Sequence, residues 1–191
     1  EICACLVGSE MCIRDSDIRS DVRIPLILMG YLNPIMKFGF EAFCQKCVEC
    51  GIDGVIIPDL PFKDYEETYK PIADRYDIRV IMLITPETSE ARVREIDEHT
   101  DGFIYMVSSA ATTGAQKDFD SQKQAYFKKI QDMHLRNPRM VGFGISNKQT
   151  FDAACANSSG AIIGSRFVTL LNEAEGDAEK AITQLKEGLK K

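Results

Sequence analysis

One pattern recurs along this chain: a short apolar run, a breaker, then a stretch with helical spacing, six times over. Residues 24–31, Ile-Pro-Leu-Ile-Leu-Met-Gly-Tyr, form a continuous apolar run that stops at Leu32-Asn33-Pro34. A run without polar alternation predicts a strand covered on both faces, as in a parallel sheet. Residues 40–50 then place apolar side chains at 40, 43, 44, 47 and 48, which predicts a helix. Gly51 stands where such a helix would close on a left-handed residue. The order repeats, with strands predicted at 55–57, 79–85, 102–108, 140–143 and 160–163. Between them helices are predicted at 64–76, 89–99, 122–136 and 147–156, with two more at 166–171 and 177–189. Glu66 and Glu67 suit the first turn of the second helix, and Ser89 the cap of the third. Alternating βα units with apolar strands imply a parallel α/β sheet, and no Gly/Pro/Ser-rich linker divides residues 17–191.

Length sharpens this. A complete eight-fold βα barrel typically needs ~250 residues, and the chain has 191. Six units over residues 17–191 give about 29 residues each, whereas eight give a cramped figure of about 22. About six of eight units are therefore expected. A formal charge of −6 carries no general attraction for nucleic acid or anionic membranes. No apolar run approaches the ~18 residues that span a bilayer. Seven cysteines, an odd number without a secretory leader, argue for reduced thiols and a cytoplasmic protein. Three of them fall in residues 1–16, EICACLVGSEMCIRDS, which hold neither helical nor strand period. That segment reads as non-native or unstructured, a scar or read-through joined to a truncated gene. A genuine N-terminal segment and a targeting segment remain open.

In parallel βα folds, ligands meet the carboxyl ends of the strands. Three consecutive predicted strand ends carry glycine, at Thr113-Gly114, Phe143-Gly144 and Gly164-Ser165. Glycine lets a ligand approach the backbone N–H groups. Gly164-Ser165 leads directly into a short predicted helix, an arrangement that holds phosphate in barrels; tight βα turns are the plainer explanation. The loop 108–117 is long, small and polar, and reads as a lid or an ordinary connector. Asp59, between two prolines with Leu60, faces a pocket mouth or a partner, or simply caps the next helix. Tyr105 and Phe143 are candidates for an aromatic wall, with core packing as the alternative. Cys44, Cys47 and Cys50 partly match an iron–sulfur spacing but lack a fourth ligand. Two of them share the apolar face of their helix and are expected to be buried. His99 and His134 fall near helix ends, so no metal site or His-based triad is predicted.

The stretches IPLILMGYLNP, DGVIIPDLP, YMVSSAATTGA, VGFGIS and GAIIGSRFV, in this order and spacing, resemble the α chain of tryptophan synthase. The resemblance runs from about Ile24 to the C-terminus. It implies the (β/α)8 TIM barrel family and retro-aldol cleavage of indole-3-glycerol phosphate to indole and glyceraldehyde 3-phosphate. By resemblance, Gly114, Gly144, Gly164 and Ser165 bind the substrate phosphate. Met29, Tyr105, Phe143 and Ile162 would line the indole pocket, and Thr112 and Thr113 would belong to the lid. Asn33, Pro34 and Asp59 would face a partner β chain in an α2β2 tetramer. Pyridoxal phosphate would belong to that partner, with no cofactor in this chain. The lid departs from the commoner family form, which has Arg or Leu at the position of Ser109 and Gly at that of Ala111.

A larger departure concerns chemistry. The family uses a Glu at its second strand end and an Asp in a Pro-Phe-Ser-Asp-Pro loop, and nothing in these 191 residues matches that loop. Losing a positioned acid/base removes a factor of ~10²–10⁴. The expectation is a fragment with no catalytic carboxylate of its own, inactive alone. A docking module that only modulates the β chain, and another phosphate-binding barrel enzyme, are the alternatives.

Overall fold

The computed structural model describes residues 19, 21–108, 121–142 and 144–190. Among them, residues up to Met82 together with 98–102 form one compact unit, and 83–97 with 103 onward a second.

The first unit is built on a parallel sheet of β1 (Ile27–Met29), β2 (Gly54–Ile56) and β3 (Arg79–Ile81), in that order. Leu28 pairs with Val55, and Val55 with Val80. Between β1 and β2 lie helices α1 (Leu32–Phe38) and α2 (Phe40–Glu49). Helix α2 buries Phe40, Phe43, Cys44 and Cys47, the face that its spacing predicts. It ends as predicted: Gly51 has φ +71°, its N–H donates to Val48 O, and the Ile52 N–H donates to Cys47 O at 2.8 Å. Both bonds satisfy carbonyls that a helix end leaves open. Between β2 and β3, α3 runs as Phe62–Asp64, a π-helical Tyr65–Tyr69 and Lys70–Arg75. The Tyr69 ring meets Phe40 edge-on at 4.7 Å, joining α3 to α2.

In the second unit, β4 (Leu83–Ile84), β5 (Ile104–Val107), β6 (Arg139–Gly142) and β7 (Gly160–Ala161) form a four-stranded parallel sheet. Helices α4 (Glu90–His99), α5 (Ser121–Asp132) and α6 (Lys148–Cys155) follow β4, β5 and β6 in turn. Two more, α7 (Ser165–Glu173) and α8 (Ala178–Gly188), follow β7. Ile84, Ile104, Met106, Phe127 and Val141 are fully enclosed and form the heart of this unit. Ser89 caps α4 as expected, accepting from Arg92 N at 3.3 Å.

All six predicted strands are present; the third is interrupted at Met82. Four expectations need correction. Leu32-Asn33-Pro34 is not a breaker but the first turn of α1, where proline's missing N–H removes no helical bond. The run 24–31 is not covered on both faces: Ile24 is 70% exposed and Ile27 38%, and among the described residues β1 pairs only with β2. Helix α5 stops at Asp132 rather than 136, because His134 turns left-handed at φ +50°. The Asp97 carboxylate then takes the Arg136 and Asn137 N–H groups, at 2.7 and 2.8 Å. Helix α7 is longer than predicted, since Leu170 and its neighbours pack against Ala174 and Ala181.

Candidate functional site

The residues that follow β6 and β7 include two of the glycines expected to meet a phosphate, Gly144 and Gly164. After Gly142, Gly144 adopts φ +77°, open to glycine at little cost. The Ile162 N–H donates to Val141 O at 2.8 Å, extending the β6–β7 ladder toward Gly164. Gly164 is the N-cap of α7 and, lacking a side chain, gives it no side-chain cap. Among the described residues, a Cβ at Gly164 would meet no atom within 4 Å. Ser165 opens α7 and is exposed. The Gly164 carbonyl already serves the Val168 N–H at 3.1 Å, so the turn is formed while the N–H groups of the first turn have no partner within the helix. Such an end attracts a dianion through N–H donors and the helix dipole.

Tyr105 lies in β5, 5% exposed, and pairs with Met140. Gly142 is two residues further along β6, on the same face and diagonal to the ring. A Cβ there would collide with the Tyr105 ring and hydroxyl, so the tyrosine occupies the space that glycine leaves. Burial pushes the Tyr105 phenol up to about 12, so at neutral pH the ring is uncharged. Ile162 and, in the first unit, Met29 are half-buried. Gly114, Thr112, Thr113 and Phe143 lie outside the described residues.

In the first unit, the structure brings Asn33, Pro34 and Asp59 to one rim, all exposed. Asp59 does not cap the helix that follows it. Its Oδ1 accepts the Leu32 N–H at 2.9 Å, at the start of α1. Tyr31, Met36 and Phe38, 64, 54 and 38% exposed, surround that turn and were not singled out by sequence patterning. A helix predicted over 32–38 would have flagged them as an apolar surface; Pro34 concealed it.

Among the described residues, no three His, Cys, Asp or Glu side chains converge as a metal site. Cys44, Cys47 and Cys50 are buried, and burial together with Glu41 pushes the Cys44 thiol up to about 11. His99 pairs with Glu66 beside the Phe62 ring, on the outer helices.

Parallel strands alternating with helices in both units define an α/β protein of the parallel-sheet class. The family model described as tryptophan synthase alpha chain matches residues 11–191, and the chain belongs to that family. It is 80% identical over 170 residues to the tryptophan synthase alpha chain of Bacteroides fragilis, covering 89% of this chain and 64% of that relative. It is 77% identical over 174 residues to the Bacteroides thetaiotaomicron chain, covering 91 and 68%. The chain thus spans somewhat under two thirds of the Bacteroides fragilis relative's length. Among solved structures, a Pyrococcus furiosus α-subunit (the D17N mutant) matches with TM-score 0.82 and 28% identity, over 94% of this chain and 72% of that one. The Legionella pneumophila alpha chain matches at 0.80 and 27%, over 95 and 69%. A tryptophan synthase complex from Pyrococcus furiosus matches at 0.82 and 26%, over 94 and 72%. The expected barrel family and its partial unit count stand, and an unrelated phosphate-binding barrel is set aside.

Proposed function

We propose that this chain supplies the phosphate- and indole-binding part of a lyase acting late in L-tryptophan biosynthesis. The reaction is retro-aldol cleavage of indole-3-glycerol phosphate to indole and glyceraldehyde 3-phosphate. The observation that supports the reading is the start of α7 at Gly164-Ser165, which has no side-chain cap, together with the left-handed Gly144 after the neighbouring strand β6. Phosphate would accept from these N–H groups and from Gly114. Tyr105, Ile162 and Phe143 would hold the indole by apolar contact, with Thr112 and Thr113 in the covering loop. The partner would be a pyridoxal-phosphate-dependent β chain in an α2β2 tetramer, docked at the rim that carries Asn33, Pro34 and Asp59, with no cofactor held by this chain. A cytoplasmic setting suits its free cysteines, Cys44, Cys47, Cys50 and Cys155.

Without a match to the family's carboxylate loop, the 191-residue polypeptide should bind substrate analogues but not turn substrate over. Calorimetry with indolepropanol phosphate tests binding. Ser165→Asp should weaken it at least about tenfold, since a carboxylate then competes for the same dipole. Unchanged binding in that variant would remove the phosphate assignment. Indole release above background, with β chain added, would overturn the expectation of inactivity.

A further inference from the structure

The Asp59 carboxylate looks, from its place on the rim, like a group waiting for a partner. Its recorded bond is internal. Oδ1 accepts the Leu32 N–H across 27 residues of chain, at 2.9 Å. Helix α1 has no cap of its own, because Tyr31 stands at its N-cap position and offers no side-chain acceptor. The backbone beneath is already joined: Gly30 N–H donates to Ile56 O, and the turn carrying Asp59 is closed by Leu60 N–H to Ile57 O, both at 3.1 Å. These three bonds tie the carboxyl ends of β1 and β2 to the first turn of α1. That turn presents Tyr31, Asn33 and Pro34, with Met36 and Phe38 further along the same seven-residue helix.

We infer that Asp59 is a positioning residue for partner docking: it acts through α1, holding the Tyr31–Pro34 turn in the shape the β chain binds. This rests on the proposed β-chain partnership. The physical reason is preorganisation. A seven-residue helix is too short to hold itself together in water. A rim that must order on binding loses affinity to that ordering. Oδ1 as an acceptor is what α1 requires, so a neutral amide carbonyl at the same position should serve it.

The test uses the whole chain, its Asp59→Ala and Asp59→Asn variants, and the β chain of the Bacteroides fragilis relative. Two readouts are taken: hydrogen exchange at the Leu32 amide in the free chain, and affinity for the β chain by calorimetry. Expected are at least about tenfold faster Leu32 exchange and about tenfold weaker affinity in Asp59→Ala, with both near the unaltered values in Asp59→Asn. Unchanged Leu32 exchange in Asp59→Ala would overturn the capping role. Faster exchange with unchanged affinity would overturn positioning. Protected Leu32 but lost affinity in Asp59→Asn would show that the charge touches the partner directly, and so overturn the inference. Failure of the unaltered chain to bind would overturn the partnership and this inference with it, while the exchange result would still report on the cap.

Discussion

Tyr105 and Gly142 are packed against each other in the second unit's sheet. The sequence offers Tyr105 as an aromatic wall or as core packing, but nothing in its spacing links positions 105 and 142. Register does: Tyr105 opposes Met140, which puts Gly142 diagonally under the ring. Gly142→Ala therefore forces the ring to move. It should cost about 1–3 kcal/mol as overpacking in a filled site. It should also weaken indolepropanol phosphate more than inorganic phosphate, because the displaced group is the apolar wall. Tyr105→Phe removes the hydroxyl that the new methyl would strike. In the double variant, part of the lost melting temperature should return, and a double-mutant cycle by thermal melts measures the coupling. Strict additivity would show that the two positions do not meet.

Among elements, the helices differ in how far local sequence specifies them. Helix α6 carries its own start signal: Asn147 Oδ1 accepts Thr150 N at 2.9 Å, and Thr150 Oγ1 accepts Asn147 N at 3.2 Å. Asn147→Ala should cost about 0.5–2 kcal/mol, read as a shift of the denaturant midpoint at constant slope. Helix α2 carries both its apolar face and its Gly51 stop, and both appear as the residues imply. Its two cysteines, with Cys50 just beyond its end, should be silent to a thiol reagent in the folded chain and label together on unfolding, as mapped by mass spectrometry. Rapid native labelling of Cys44 or Cys47 would contradict their enclosure. Helix α1 was illegible because Pro34 is a breaker in a helix interior and harmless in a first turn, and only the chain's path says which applies. The end of α5 was illegible for a similar reason: the carboxylate that captures Arg136 and Asn137 comes from Asp97, on another helix.

At the scale of the molecule, three buried phenols link stability to pH. Burial raises Tyr105 to about 12 and pushes Tyr65 and Tyr126 up as well, above the ordinary value near 10. The folded chain then holds these protons where the unfolded chain has released them. Their contribution is fully present below about pH 10 and is lost as pH climbs through about 12. Alkaline titration should show tyrosinate absorbance rising together with loss of helical circular dichroism, and Tyr105→Phe should make that loss shallower. Tyrosinate absorbance beyond what Tyr31, Tyr69 and Tyr76 account for, with the fold intact, would contradict the burial of these rings.

What the sequence determined by itself was the kind of molecule: a parallel βα repeat of about six units, with glycines after its later strands. Those signals are local, a matter of apolar runs, helical spacing and turn residues, and each is complete within some thirty residues of chain. Tertiary structure decided the rest. It seated Tyr105 over Gly142, turned Asp59 from a rim charge into the cap of α1, and brought the Asp97 carboxylate to Arg136 and Asn137. Each of these joins residues whose distance in sequence says nothing of their distance in space, because strand register and helix placement are set by packing of the whole core.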